Sequence, residues 1–462
     1  MRRSFAWMAA VLALVAVGFL MACNTKYQAA YNGLVVVPTQ GQAVMETFSL
    51  NLANGEMTQI NNQNGPPTPG LSGAVILDPT GANAYVIMNQ NAALQPSSTG
   101  ITVFPIGADG ALHAGKTQGL NPSTLGTAIC IFTQNGMTMT EQITVPVNAP
   151  VVPHALAMDS AGKFLFVADV ATSAQGTYSC NGSSVTSEVP VPGAVSVLTV
   201  SNGALTEIAG SPFPLPVPLP TEEEGDIPSA SALAVTPTIY PVQYSYCSGH
   251  APPTTEYLYV TDSANYVLLN YSIDPSAGTL SLNEYAPGEP GIPTGSVPSG
   301  VAVDPCNRFA YVANAGPGSI QNSVSAYTIC STVDILSEPP CQTANFSLNP
   351  IAGSPYPAGD SPGPIAVDAY GNFLYVVNTG SSNVSGYRIS PSNGTLTVFT
   401  GAPAAAGVGA NSIAIRRDDS WVFVANLTSG TLSQYAITQS SGGLSPVAPV
   451  STLDYPSGVA VK

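Results

Sequence analysis

Residues 299–314 read SGVAVDPCNRFAYVAN, and variants of this stretch recur along the whole chain. The pattern returns as GPIAVDAYGNFLYVVN at 363–378 and as NSIAIRRDDSWVFVAN at 411–426. Earlier copies begin at Ser72, His154 and Ala230, and an insertion separates the two halves of the copy from Ala230. A unit that recurs in this way predicts a repeat architecture.

Each copy has two short apolar runs joined by a turn, such as residues 301–303 and 309–312 around Asp304. An Asp at the head of such a turn can accept hydrogen bonds from the backbone of its own turn. Runs that are apolar throughout are typical of strands buried on both faces. A more polar pair of strands follows, as in NVSGYRISPSNGTLTVF at 383–399. Four strands per unit, with an apolar inner pair, indicate the blade of a β-propeller.

The two ends of the chain complete the blade count. Six copies carry the first half of the unit, whereas residues 456–462 supply only a first strand and the segment from Leu34 lacks one. We therefore predict an all-β fold, one seven-bladed β-propeller over residues 31–462, whose ring is closed by pairing the C-terminal strand with the N-terminal blade. The longest insertions are residues 121–150, 171–192, 212–229, 238–255 and 330–345.

The N-terminus has the pattern of an export signal. Arg2 and Arg3 precede an uncharged, mostly apolar run at 5–22 that ends in Ala22-Cys23. We predict a lipoprotein signal peptide at 1–22, a lipid on Cys23 and a tether at 23–30, with the protein anchored to the membrane of the cell envelope on the periplasmic or outer-membrane side. An uncleaved anchor is the alternative, because 18 apolar residues are just enough to span a bilayer.

Charge and motifs exclude several functions. Without Arg2 and Arg3, eight Lys and Arg stand against 26 Asp and Glu, a net charge of −18. Such a surface repels nucleic acid, so no nucleic-acid partner is expected. The sequence has no phosphate-binding loop, zinc signature or serine nucleophile elbow, so no cofactor and no metal are expected.

Six cysteines remain besides Cys23, an even number that predicts disulfides in an exported chain. In a propeller blade with strands A to D, the A–B and C–D turns lie on one face and the B–C and D–A connections on the other. This topology predicts the three pairs Cys130–Cys180, Cys247–Cys306 and Cys330–Cys341.

The phrases YVTD at 259–262, FAYVAN at 309–314 and LYVVN at 374–378 resemble the YVTN-type repeats of the lactonase-like seven-bladed propellers. That family includes 6-phosphogluconolactonase-like proteins and cycloisomerases that act on carboxymuconate. The resemblance covers nearly all of residues 31–462 and implies the same fold, whereas many proteins with these repeats have no known catalysis.

The resemblance implies a small set of site residues. The family pattern is Pro-His-x-His at the start of one blade, an Asp at the end of its second strand, then an Arg-His pair and a Glu. Pro153-His154-Ala155-Leu156 keeps the first His and replaces the second by Leu156, and Asp169 matches the Asp. Ser231-Ala232 stands in place of the Arg-His pair, and Asp262 or Asn314 in place of the Glu. The cationic group that would hold an anionic substrate is therefore missing.

Individual candidates allow two interpretations each. His154 is either a general base or a histidine hydrogen-bonded at a loop junction, while His113 and His250 are expected at the surface. The acidic run at 222–226 either binds calcium or forms a solvated loop. In six repeats the second strand ends in a polar residue that either lines a cation site or caps the next turn. These residues are Asn89, Asp169, Asp262, Asn314, Asn378 and Asn426.

Two functional hypotheses follow. The first is a monomeric, lipid-anchored propeller that binds a protein or glycan through its loops and has no efficient catalysis. The second is a lactone hydrolase with His154 as general base and Asp169 orienting it. A neutral lactone would suit that site better than a sugar phosphate, because sugar phosphates are cytoplasmic metabolites.

Overall fold

The computed structural model describes residues 33–60, 65–68, 71–89, 99–134, 137–217, 227–236, 256–317, 322–330, 347–399 and 401–462. These residues form 36 β-strands and no α-helix. Within them, nothing resembles a helix able to cross a membrane. The predicted leader, Cys23, His250 and the acidic run at 222–226 lie outside the described residues.

The strands are numbered in chain order. The first half of the chain contains β1 (Leu34–Thr39), β2 (Val44–Leu50), β3 (Met57–Ile60), β4 (Leu71–Leu77), β5 (Asn83–Asn89), β6 (Gly100–Pro105), β7 (Lys116–Gly119), β8 (Ser123–Gln134), β9 (Met137–Ala149), β10 (Val152–Met158), β11 (Phe164–Val170), β12 (Thr172–Cys180), β13 (Ser183–Val191), β14 (Ala194–Ser201), β15 (Ala204–Glu207), β16 (Phe213–Pro214), β17 (Ala230–Val235) and β18 (Tyr257–Asp262). The second half contains β19 (Val267–Ile273), β20 (Leu280–Asn283), β21 (Gly291–Pro293), β22 (Pro298–Val303), β23 (Phe309–Ala315), β24 (Asn322–Cys330), β25 (Ser347–Pro350), β26 (Tyr356–Pro357), β27 (Pro362–Val367), β28 (Phe373–Asn378), β29 (Asn383–Ile389), β30 (Leu396–Val398), β31 (Ala404–Ala405), β32 (Ala410–Ile415), β33 (Trp421–Asn426), β34 (Thr431–Ile437), β35 (Leu444–Ser451) and β36 (Ala460–Val461).

Seven antiparallel sheets form the blades of a ring, each running from an innermost strand A to an outermost strand D. From blade 1 to blade 7 the strand orders are β36-β1-β2-β3, β4-β5-β6-β7, β10-β11-β14-β15, β17-β18-β19-β20, β22-β23-β24-β25, β27-β28-β29-β30 and β32-β33-β34-β35. The predicted seven-bladed propeller with four-stranded blades is confirmed.

Blade 1 closes the ring as the sequence predicts. Strand β36, from the C-terminal end of the sequence, pairs antiparallel with β1, with Val461 opposite Val35 and Ala460 opposite Val36. The amide of Lys462 also donates to the carbonyl of Leu34 at 2.9 Å. The two ends of the propeller therefore share one sheet, and this sheet has no open inner edge on β1.

The core consists of one apolar layer between each pair of neighbouring blades. Strand β23 shows how one strand serves two layers: Tyr311 and Ala313 pack toward blade 6, while Ala310 and Val312 pack toward blade 4. This is why the second strand of every repeat is apolar at consecutive positions. Tyr311 and Tyr375 also donate their hydroxyls to carbonyls of the following blade, Gly394 and Gly442.

The Asp-headed turns between strands A and B form as predicted. The Asp368 carboxylate accepts the amides of Asn372 and Phe373 at 2.6 and 2.7 Å. Asp159 accepts the amides of Lys163 and Phe164 at 2.6 and 2.7 Å in the same way. We call this end of the ring the A–B face, and the end with the B–C and D–A connections the B–C face.

Two of the insertions contain β-hairpins. Residues 121–150 contain the hairpin β8–β9, and residues 171–192 contain the hairpin β12–β13. Both hairpins leave the ring on the B–C face, one from the connection into blade 3 and the other from between its second and third strands. The chain thereby places its largest additions at one end of the propeller.

Candidate functional site

A β-bulge lies near the start of strand A in the blades, next to the B–C face. The register of the A–B pair shifts between Ser72 and Val75, Pro153 and Ala155, Ala230 and Ala232, Pro298 and Gly300, Pro362 and Ile365, and Ala410 and Ser412. A bulge bends its strand and re-aims a side chain, and bulges are common beside functional sites. In blade 3 the extra residue is His154.

Most polar residues at these bulges hold neighbouring blades together. Ser231 donates to the carbonyl of Pro298 in the next blade at 2.6 Å, and Ser299 does the same to Pro362 at 2.6 Å. Further around the ring, three bonds continue the pattern: Thr379 to the Ala410 carbonyl, Asn411 to the Ser457 carbonyl and Ser457 to the Gly73 carbonyl. These side chains have a structural role that links blades 4, 5, 6, 7, 1 and 2.

His154 departs from this pattern. Its imidazole makes no hydrogen bond and no ion pair with any described residue, and its side chain is exposed to solvent. Surrounding protein still removes part of its hydration, and this desolvation lowers the pKa of His154 below its ordinary value of 6.5. The imidazole is therefore neutral near pH 7, with a nitrogen lone pair free to accept a proton.

Asp169 lies on the adjacent strand and makes no hydrogen bond or ion pair with His154. It stands opposite Pro153 in the register, and its carboxylate accepts a hydrogen bond from the Ser196 hydroxyl at 2.7 Å. The second oxygen, Oδ1, has no partner, although the side chain is only 1% exposed. Burial raises the pKa of Asp169 to about 8. Asp169 is thus a protonated, buried group at neutral pH, and no hydrogen bond orients His154 through it.

The unpartnered oxygen has an explanation in the repeat. In three blades the corresponding Asn accepts a hydrogen bond from a glycine amide 19 residues earlier; the pairs are Gly295 and Asn314, Gly359 and Asn378, and Gly407 and Asn426. A Cβ at Gly359 would lie 2.7 Å from the Asn378 side chain, so only glycine fits there. The position 19 residues before Asp169 is Pro150, which has no N–H to donate.

The polar residues that end the second strands are structural, but not all in the predicted way. Asp262 caps the following turn by accepting the amides of Ala264 and Asn265, as expected. The three Asn residues instead donate to serines of strand C, namely Ser325, Ser385 and Ser433, and accept from the loop before strand A. Among the described residues, no group of three His, Cys, Asp or Glu side chains could hold a metal.

One predicted disulfide joins the two hairpins of the B–C face. Cys130 of β8 and Cys180 of β12 are bonded, with their Cα atoms 5.5 Å apart, which confirms that pair. Ala128, Val145 and Val189 form a small apolar core between the hairpins. Cys306 and Cys330 each take part in a disulfide. Their predicted partners, Cys247 and Cys341, lie outside the described residues, so those two pairings stay predictions.

Comparisons with known proteins agree with this geometry. Residues 343–462 match the family model described as "Lactonase, 7-bladed beta-propeller", about a quarter of the chain. The chain is a seven-bladed β-propeller whose C-terminal quarter is similar to the lactonase family. A putative 6-phosphogluconolactonase from Bacteroides fragilis superposes with a TM-score of 0.62 at 18% identity, covering 93% of this chain and 98% of that one. The periplasmic gluconolactonase PpgL of Pseudomonas aeruginosa gives 0.59 at 16%, covering 93% and 98%.

These similarities agree with the seven-bladed propeller fold and leave the activity of the protein open. A putative 6-phosphogluconolactonase from Bacteroides uniformis gives a TM-score of 0.60 at 16% identity, over 93% of this chain and 99% of that one. Identities this low report a shared architecture, and function depends on the site residues. No curated protein matches the chain.

The Arg and Lys residues of the propeller are unevenly placed. Lys163, Arg308 and the Arg416-Arg417 pair occupy A–B turns, and Lys462 follows the last strand A at the same end. Arg388 and Lys116 lie toward the C–D turns, also at the A–B face. All described Arg and Lys residues therefore lie toward the end of the ring opposite His154. This agrees with the absence from the sequence of the cationic group that would hold an anionic substrate.

A cavity lies beside the start of β10, at the base of the β8–β9 hairpin. Its volume is about 300 Å³, and its lining includes Thr99, Asn148, Pro150 and Val151. This cavity could not be predicted from the sequence, because it exists only where the hairpin crosses the connection from blade 2. His154, Pro150 and the hairpins together make the B–C face at blade 3 the candidate functional site.

Proposed function

We propose that this protein is an envelope-anchored binding platform whose partner, a protein or a glycan, docks on the B–C face at blade 3. The observation that carries the proposal is the pair of hairpins β8–β9 and β12–β13, held to each other by the Cys130–Cys180 disulfide. Neither hairpin is needed to complete a blade, since blade 3 is closed without them. A rigid scaffold with braced insertions is the usual arrangement for recognition.

The longer hairpin ends in an exposed apolar tip. Ile131 is 62% exposed and Met137 is 65% exposed, and Met139 opposite Phe132 is also exposed. The shorter hairpin does not extend far enough to cover this tip. Met137 and Met139 point from one face of the tip and Ile131 from the other, and exposed apolar side chains on both faces favour a contact site for a partner.

The predicted anchor is compatible with this orientation. Strand β1 begins at the A–B face, where a Cβ on Gly33 would approach Arg416. Residues 24–33 can span at most about 35 Å when fully extended. A lipid on Cys23 would therefore attach the propeller to the membrane from the A–B face, the end opposite the hairpins.

The first test compares partner binding by the full chain and by a hairpin-tip variant. Ile131→Asp combined with Met139→Asp places charge on the tip and should reduce retention of envelope proteins or glycan fragments by about tenfold or more. Val398→Asp is the matched control, because Val398 is 58% exposed on the outer strand of blade 6. The platform hypothesis fails if the tip variant and the control retain the same partners equally well.

A second function, hydrolysis of a neutral lactone, is favoured by one observation: the free imidazole of His154. As a general base, His154 would take a proton from water while the water oxygen attacks the lactone carbonyl. The ring C–O bond then breaks, and the leaving alkoxide takes the proton back from the imidazolium, giving a hydroxy acid. With no Arg or Lys of the described residues nearby, the substrate would be uncharged.

The second test measures hydrolysis of a panel of neutral lactones by the full chain. We expect His154→Ala to lower the rate by about 100-fold or more if His154 is the base. His113→Ala is the matched control, because His113 is an exposed histidine on the loop between β6 and β7. Rates at background level for the wild-type chain and both variants would remove the enzymatic hypothesis and leave the platform.

A further inference from the structure

A second cavity of the propeller lies at the end opposite His154. Its volume is about 560 Å³, within the range of small-molecule pockets. It is bounded by the C-terminal ends of three strands A: residues 75–77 of β4, residues 413–415 of β32 and residues 459–461 next to and within β36. Strands A are six or seven residues long in most blades, so this cavity is roughly 20 Å from the B–C face.

The guanidinium of Arg417 contributes a positive charge to the cavity lining. Its neighbour Arg416 forms an ion pair with Asp418, and Arg308 pairs with Asp304 in another turn. Arg417 has no ion pair and no hydrogen bond with any described residue. An unpaired guanidinium in a chain with so few cations is a ready donor for a carboxylate, which it can bind in a bidentate manner.

Lys462 provides a second cation in the cavity lining. Its ammonium group donates to the carbonyl of Gly81 at 3.3 Å and makes no ion pair with a described carboxylate. Asp78 also lines the cavity, but donors from Thr80, Ala82 and Asn83 already occupy its oxygens, and these bonds lower the pKa of Asp78 against the opposing effect of its partial burial. The ionised Asp78 is therefore committed to its own turn.

The walls between these charges combine apolar side chains with free backbone edges. Strands β4, β32 and β36 each stand at the end of their sheets, so one edge of each lacks a strand partner. The lining side chains along them are valine, leucine, isoleucine and alanine. A ligand with a small organic body and one anionic end fits both parts of this lining.

We propose that this cavity binds a short organic carboxylate, with Arg417 as its principal contact and Lys462 as a second. The site is separate from the candidate site at His154 and needs neither catalysis there nor docking on the hairpins. Arg417 contributes charge and geometry, and the strand edges contribute backbone hydrogen bonds along the ligand.

The test is calorimetric titration of the full chain with two probes, hexanoate and gluconate, and with hexan-1-ol as the neutral analogue of the first. We expect at least one carboxylate to bind at millimolar or lower concentration, and hexan-1-ol to bind about tenfold or more weakly. Arg417→Gln should weaken the carboxylate by about tenfold, because it removes the charge and one bidentate contact while keeping a similar volume.

Arg388→Gln is the matched control, because Arg388 is a cation of the same face that lies outside the cavity and donates to the Ser440 carbonyl. It should leave binding unchanged. The proposal is overturned if neither carboxylate binds, if hexan-1-ol binds as tightly as hexanoate, or if Arg388→Gln weakens binding as much as Arg417→Gln does.

Discussion

Deletion of residues 457–462 is expected to abolish the folded propeller. The deletion removes β36, and with it the only strand that pairs with the inner edge of β1 in the described structure. Val459 and Ala460, both buried, leave the apolar layers between blade 1 and its two neighbours. Ser457 also donates to the Gly73 carbonyl, so the link to blade 2 is lost. The combined decrease in the free energy of unfolding should exceed the ~2–5 kcal/mol that one large-to-small core substitution causes.

The measurement is the thermal midpoint of the full chain, together with its solubility, because an exposed strand edge promotes aggregation. A milder variant, Val459→Asp, keeps the chain length and buries a charge in the same layer, so it should still lower the midpoint strongly. Tyr455→Ser is the control, since Tyr455 is 53% exposed next to the deleted segment. A truncated chain that melted like the wild type would contradict the closure described above.

The ring and its closure could be predicted because the hydrophobic pattern of each repeat identifies its strands. Apolar runs on both sides of an Asp-headed turn specify two buried strands and their connection, and the turns at Asp159 and Asp368 have the predicted bonds. The number of blades follows from the incomplete units at the two ends. These features are local in sequence, so they can be recognised without knowing which blades are neighbours.

The candidate site could be predicted only in part, because its character depends on contacts between blades. The sequence identifies His154 as a candidate by its residue type. That its imidazole makes no hydrogen bond becomes apparent only by comparison with Ser231 and Ser299, whose hydroxyls donate to carbonyls of the next blade. The β-bulge places Pro153 opposite Asp169, and the sequence gives no clear sign of that shift. The 19-residue spacing between Gly359 and Asn378 is visible in the sequence and could have identified Pro150 as an exception.

Asp169→Asn is expected to stabilise the protein, increasingly so as the pH rises. The pKa of Asp169 is about 8 in the folded protein and 3.8 as its ordinary value, with burial as the main cause. Between pH 4 and 8 the folded chain therefore holds a proton that the unfolded chain releases, so this group lowers the free energy of unfolding as the pH rises. Asparagine removes that dependence, and its amide can donate to Ser196 as Asn378 does to Ser385.

The expected difference between variant and wild type grows by roughly 1.4 kcal/mol per pH unit across this window and levels off above pH 8. Thermal midpoints measured from pH 5 to 9 would show it as a flatter profile for the variant. Asp262→Asn is the contrasting control: the Asp262 oxygens accept bonds from Ser229, Ala264 and Asn265, so an amide there loses acceptors and should destabilise. Parallel pH profiles for Asp169→Asn and the wild type would mean that Asp169 is ionised in the folded protein and that its unpartnered oxygen is solvated.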